Sequence, residues 1–318
     1  MKKLVVSLII LIVIVTGIII AVNSKKDSID MENEKLNIVV TVYPVYDFAK
    51  EIVGDKANVS MLLSPGVEIH DYEPTPQDII KIEESDLFFY LGENLEPWAE
   101  TIISGVDSKE NIKDISKDIK LIEKESFEEG HSIKEHEKHE EHSKYDTHIW
   151  LDPTKSIELV KNITQELCNK DKENADYYKE NADAYIKKLE ELDKNFEDIV
   201  ANGKRKEIAF GGPFSYAYFI ERYNLDFVTA YDSCGENSEP SVEKIFSVIE
   251  EIKKNEIPVV FYKELSSGNI VKTISEETGA EALELNSLHS LTAKQISDGE
   301  NYLTIMSKNL ENLKKALN

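Results

Sequence analysis

From residue 152 to residue 203 the chain keeps apolar residues three and four apart, and no strand-like run interrupts the pattern. Asp152 caps this stretch, Pro153 occupies its first turn and Asn202-Gly203 supplies the stop. It reads as one long helix, with Asn169 to Asn174 the place where it can break. At about 1.5 Å per residue such a helix outruns a single globular layer. It therefore has to bridge two lobes.

Both flanks alternate strand and helix. Before the long helix, LNIVVTVY, ANVSMLLS and DLFFYLG read as strands, with VYDFAKEIVG and TPQDIIKIEES as helices. The second of these helices opens with Thr75 as cap, Pro76 in the first turn and Asp78 at the positive end of the dipole. After it, EIAF, DFVTA, IPVVFY and EALEL read as strands. FSYAYFIERY, EPSVEKIFSVIEEIKKN, NIVKTISEETG and ISDGENYLTIMSKNLENLKKAL read as helices, and the aromatic face of the first is core packing. Short apolar strands separated by helices imply parallel sheets covered on both faces. The fold class is thus α/β, two Rossmann-like lobes joined by a long helix, with loops of both lobes lining one cleft beyond the carboxyl ends of the strands.

The boundaries expected are an export segment at 1–22, a polar tether at 23–35, an N-terminal lobe at 36–151 with a His- and acid-rich loop at 123–146, a linking helix at 152–203 and a C-terminal lobe at 204–318. Lys2 and Lys3 precede a charge-free apolar run from residue 4 to residue 22, which marks export. The run approaches the length of a membrane span, so an uncleaved signal anchor is preferred to a cleaved signal peptide. No cysteine follows it, which excludes a bacterial-type lipid anchor. The body is expected to work outside the cytoplasm. Cys168 and Cys234 lie far apart, and two unpaired structural cysteines are preferred to a disulfide. A net charge of -24 argues against a nucleic-acid partner.

Five of the seven histidines fall between residues 131 and 148. His131, His136, His139 and His142 sit in a low-complexity tract of Glu and Lys that cannot bury enough apolar surface to order itself. His148 stands at its edge, in YDTHIWLDP, where Trp150 and Asp152 imply a structured turn and an Asp near the imidazole can fix its tautomer. His70 follows a strand and precedes the capped helix, and His289 follows EALEL in the same way in the second lobe. Three imidazoles from both lobes suit zinc better than manganese, which prefers oxygen. Neither an HExxH nor a G-x-S-x-G pattern is present.

SPGVEIHDYEPTPQDI, THIWLDP, EPS at 239 to 241, ISEETGA and YLTIMSKNLENLKKAL together resemble the zinc/manganese solute-binding proteins of ABC importers, over nearly the whole chain from about residue 37. The resemblance implies two α/β lobes joined by a rigid helix, a metal held between them, and a monomeric extracytoplasmic receptor that delivers Zn²⁺ (less favourably Mn²⁺) to an ABC permease. It places the first two metal ligands on His70 and His148, and the fourth on His289. The position of the third is Pro213, with Gly212 beside it, and neither side chain can bind metal. Water, Glu68, Asp232, Cys234, Glu236 or Glu239 are the candidates to complete the shell. The histidine-rich loop then catches zinc weakly for the cleft, or is a solvated spacer. Two other readings stand beside this one: an exported zinc metallohydrolase, for which no general base presents itself, and a surface adhesin or zinc-buffering protein.

Overall fold

A computed structural model describes residues 35–64, 66–67, 72, 75–124, 144–231, 240–266 and 268–318. Two four-stranded sheets organise it. The first contains β1 (Leu36–Val40), β2 (Ala57–Met61), β3 (Leu87–Tyr90) and β4 (Ile112–Asp114), in the order β2-β1-β3-β4. The second contains β5 (Glu207–Phe210), β6 (Asp226–Thr229), β7 (Val259–Tyr262) and β8 (Glu281–Glu284), in the order β6-β5-β7-β8. The two orders are the same. Ile38 registers with Leu87 and Val40 with Phe89, and the pairing is parallel; Ala209 pairs with Val260 in the same sense in the second sheet. All of these residues are buried, as β-branched and aromatic runs must be when helices cover both faces of a sheet.

In each lobe the chain leaves the first strand to one side and then crosses to the other. The switch point lies between β1 and β3, and again between β5 and β7. Connections at the carboxyl ends diverge there and open a crevice. In the first lobe α1 (Tyr43–Val53), α2 (Pro76–Glu83) and α3 (Pro97–Ser104) complete the layers. Thr75 is the cap of α2, as expected, and Asp78 does more than favour the dipole: it closes a capping box, its Oδ2 accepting from the Thr75 amide and hydroxyl at 2.8 and 2.7 Å.

The linking stretch is two helices, α4 (Pro153–Lys170) and α5 (Ala175–Asn202), packed on one another as a hairpin. The turn falls within the interval where a break was allowed. Asp171 causes it: Oδ1 accepts from the Asn174 amide at 3.2 Å, and Oδ2 accepts from Asn174 Nδ2 and Tyr178 OH at 2.7 Å each. These bonds satisfy the start of α5 and make the turn cheaper than continuing. The bridging falls to α5, whose 28 residues span about 42 Å. Its buried stripe, from Tyr178 through Tyr185, Leu189 and Phe196 to Val200, recurs every three or four residues. It packs on α1 of the first lobe and on α6 (Ala217–Tyr223) and α10 (Tyr302–Ala316) of the second. Asp47 ties α1 to α5 and α10, accepting from Tyr185 OH at 3.1 Å and from the Tyr302 amide at 3.2 Å.

Three features depart from the pattern expected. β4 and α3 had no counterpart in the sequence reading, because a three-residue strand, Ile-Lys-Asp, is too short to show a period. In the second lobe α7 (Val242–Asn255) and α8 (Asn269–Thr278) form as expected, but the C-terminal helix is two pieces, α9 (Ala293–Ser297) and α10. Gly299, at φ 78°, ends the first piece, and the Asn301 side chain restarts the second by accepting from the Thr304 amide at 2.9 Å.

Glu96 lies under the carboxyl ends of β1 and β3. Its Oε2 accepts from Thr41 Oγ1 at 2.8 Å and from the Leu91 amide at 2.6 Å. Burial outweighs these bonds and pushes its carboxyl up from the ordinary carboxylate range to about 7. The folded protein therefore holds a proton that the unfolded chain gives up. The contribution of this group to stability is intact below pH 4.5 and falls by about 3 kcal/mol as pH rises to 7. Glu96→Gln removes this titration, so chemical unfolding between pH 4.5 and 8 should show a flatter pH dependence in the variant. Parallel curves for the two proteins would contradict it.

Candidate metal centre

His148 sits where the apolar triplet Ile149-Trp150-Leu151 turns into the core as a short 3-10 helix. Burying three large side chains in succession forces the turn, and Asp152 completes it by accepting from the Thr154 amide at 2.7 Å to cap α4. The His148 side chain is 2% exposed. Its carboxylate partner is Asp146 rather than Asp152: Asp146 Oδ1 lies 2.8 Å from the His148 amide and 2.9 Å from Nδ1. Burial alone would push the Asp146 carboxyl up, but the contact with His148 outweighs it and holds the carboxyl below its usual range. A carboxylate on Nδ1 keeps the proton there and places the lone pair on Nε2.

His289 reaches the same place from the second lobe. It lies in an irregular segment after β8, and the chain from Leu285 to Leu291 is buried throughout. Such a segment needs a partner for every backbone group. Asn286 receives an amide bond from its own loop and exchanges others with Asn309 of α10: the Asn286 amide donates to Asn309 Oδ1 at 2.8 Å, and Asn309 Nδ2 donates to the Asn286 carbonyl at 2.8 Å. The amides of Ser287 and His289 both donate to Glu264, at 2.6 and 3.1 Å. Leu288, wholly buried, takes the left-handed conformation at φ 59°, a cost of about 1–2 kcal/mol that these bonds offset.

The two histidine rings meet across the cleft. Their centroids are 4.5 Å apart with the planes at 79°, and Trp150 stands 5.7 Å from each. With Zn–N bonds of about 2.0–2.1 Å, two imidazoles on one ion cannot have centroids farther apart than about 6 Å. The pair satisfies that limit. Trp150 also joins the lobes, its Nε1 donating to the Ser287 carbonyl at 2.8 Å.

His70 lies outside the described residues, as do Glu68, Asp232, Cys234, Glu236, Glu239, His131, His136, His139 and His142. The described start of the His70 loop is at the site: the Gly66 amide donates to Ser290 Oγ at 2.7 Å. Among the described residues no three His, Cys, Asp or Glu side chains form a metal cluster, so the His148–His289 pair needs further ligands from elsewhere. Pro213 is buried, and at Gly212 a Cβ would make only ordinary contact with the Tyr262 backbone, at 3.4 Å, so it is the residue types there, and not a lack of space, that supply no ligand. Cys168 is a free thiol, half-buried on α4. Between Thr41, Tyr43, Ser64, Val67 and His289 lies a cavity of about 10 Å³, the room of about one water-sized occupant. A much larger open groove of about 580 Å³ lies at the opposite, amino-terminal edge of the first sheet. Its charges are solvated and partly paired, Lys113 with Glu166 at 3.5 Å and Lys170 with Asp86 at 4.0 Å. It has no histidine and no part in the centre.

Asp146, Glu264 and Ser287 are site residues that sequence reasoning missed. Asp146 is two residues from His148, and the signal was there in YDTH. For Glu264 the only signal is a charged pair, Lys263-Glu264, directly after the apolar strand β7.

The family model described as zinc-uptake complex component A, periplasmic, matches residues 38–316. The chain is 33% identical over 281 residues to the zinc-binding lipoprotein AdcA of Streptococcus pneumoniae, covering 88% of this chain and 56% of that protein. It is 33% identical over 296 residues to the high-affinity zinc uptake system protein ZnuA of Bacillus subtilis, covering 93% and 92%. This chain thus spans about half of the streptococcal protein and nearly all of the Bacillus one. The Zn(II)-bound ZnuA-like domain of S. pneumoniae AdcA has a TM-score of 0.74 at 33% identity, over 89% of this chain and 99% of that domain. The laminin-binding protein Lmb of Streptococcus agalactiae, described as having adhesin and metal transporting activity, has a TM-score of 0.74 at 26% identity, over 89% and 100%.

Proposed function

Since the chain belongs to the family of zinc-uptake component A, we propose that it is an extracytoplasmic receptor that captures Zn²⁺ between its lobes and delivers it to the permease of an ABC importer. The observation that carries the reading is the pair of buried imidazoles, one from each side of the cleft, facing each other at 4.5 Å. His70 supplies a third nitrogen, and water or one of Glu68, Asp232, Cys234, Glu236 and Glu239 closes the shell. Imidazole nitrogen favours zinc over manganese. Residues 4–22 hold the monomeric receptor at the outer face of the membrane, and the loop carrying His131, His136, His139 and His142 gathers zinc weakly for the cleft. The relatives are binding components of uptake systems, so the metallohydrolase reading gives way.

Metal analysis and chelator competition on the purified protein should find one tightly held zinc per chain, with manganese weaker. Saturating zinc at about a thousand times Kd should stabilise the fold by about 4 kcal/mol. A chain lacking residues 127–144 should keep that site and lose only weakly held ions. Binding requires neutral imidazoles, so affinity falls as acid protonates them. Turnover of an ester, phosphate or amide that is lost on chelation would sink the receptor reading. Undiminished growth of a deletion strain in zinc-starved medium would instead favour a surface role of the kind described for the S. agalactiae relative.

A further inference from the structure

We propose that Glu264 and Ser287 are positioning residues that lock His289 as its Nδ1–H tautomer and so present Nε2 to the cation. The inference rests on the reading of His289 as a zinc ligand and adds the device that makes it one. Both residues are buried, Ser287 completely. Glu264 accepts two backbone amides that can only donate, those of Ser287 and His289. Its third donor is the Ser287 hydroxyl, 2.7 Å from Oε1. A serine has one hydroxyl proton. With that proton directed at Glu264, Ser287 Oγ meets His289 Nδ1 at 2.7 Å as an acceptor, and the ring nitrogen has to donate.

The two histidines thus reach the same state by different routes. His148 is oriented directly by a carboxylate, Asp146. His289 is oriented by a carboxylate acting through a hydroxyl. Both arrangements place the lone pair on Nε2 and raise the basicity of the ring. The loop is built around the relay. Leu288, between Ser287 and His289, is in the left-handed region, and its amide is taken by Asn286 Oδ1 at 2.9 Å. Glutamine cannot replace Glu264 without conflict, because either orientation of the amide turns its NH₂ toward a backbone N–H donor.

The test is nitrogen-15 NMR of the imidazoles in the metal-free full chain, paired with zinc affinity by chelator competition. His289→Ala identifies the His289 resonances. The wild-type ring should show a protonated Nδ1 and an unprotonated Nε2. Ser287→Ala keeps both amide bonds to Glu264 and should relax the ring to a mixture of tautomers while weakening zinc about 10- to 100-fold. Glu264→Gln should do the same more strongly. A loss of fold in either variant leaves the wild-type spectrum as the deciding measurement. An Nε2–H ring in the wild-type protein overturns the relay with the zinc reading intact. An unchanged tautomer and affinity in folded Ser287→Ala overturn it too. Zinc affinity unchanged in His289→Ala removes His289 from the site, and the underlying reading falls instead.

Discussion

Replacing His148 with Ala is expected to lower zinc affinity by more than about 100-fold. Loss of a residue that merely supports a ligand typically costs about 10- to 100-fold, and loss of a ligand should exceed that range. His148 is the best-held imidazole of the pair. Asp146 fixes its backbone and Nδ1 together, the Trp150 ring stands edge-on to it, and almost no surface of the residue is exposed. Chelator competition reads the affinity, and circular dichroism of the metal-free variant separates lost binding from lost fold. A folded His148→Ala protein that binds zinc within tenfold of the wild type would take His148 out of the site.

Trp150→Ala should cost about 3–5 kcal/mol of folding stability, the range for truncating a large buried aromatic. Trp150 is 1% exposed. Its indole donates to Ser287 in the second lobe, while its carbonyl accepts from Tyr302 OH at 2.7 Å and Ser156 Oγ at 2.9 Å. Truncation therefore leaves a cavity between the lobes and a buried Ser287 carbonyl without its donor. The same change frees both imidazole rings on one side, so zinc affinity should fall along with stability. Trp150→Phe keeps most of the volume and loses only the N–H, and should cost about 1–3 kcal/mol. Urea unfolding measures both. A loss under about 1 kcal/mol for Trp150→Ala would mean that the lobes are joined elsewhere, through Asp47 and α5.

Much of the architecture was legible. Period-two and continuous apolar runs such as NIVV and PVVF can hardly be anything but buried strands, and the stripe on α5 can only be a packed helix. What escaped was governed by single side chains. Asp171 folds the linking stretch back on itself, Asn301 restarts the last helix, and β4 is a three-residue edge with no pattern to read. In the site, Asp152 looked like the partner of His148, but its carboxylate is committed to capping α4, which left the role to Asp146.

The sequence by itself determined two parallel α/β halves and the family, because periodicity, caps and motifs act over a few residues and are written locally. Only the tertiary structure decided that His148 and His289, distant along the chain, stand ring against ring, and that Glu264 reaches one of them through Ser287. Those contacts follow from how helices of the two lobes pack on α5 and how Trp150 bonds to Ser287, and no pattern within either segment encodes the direction from which the other arrives.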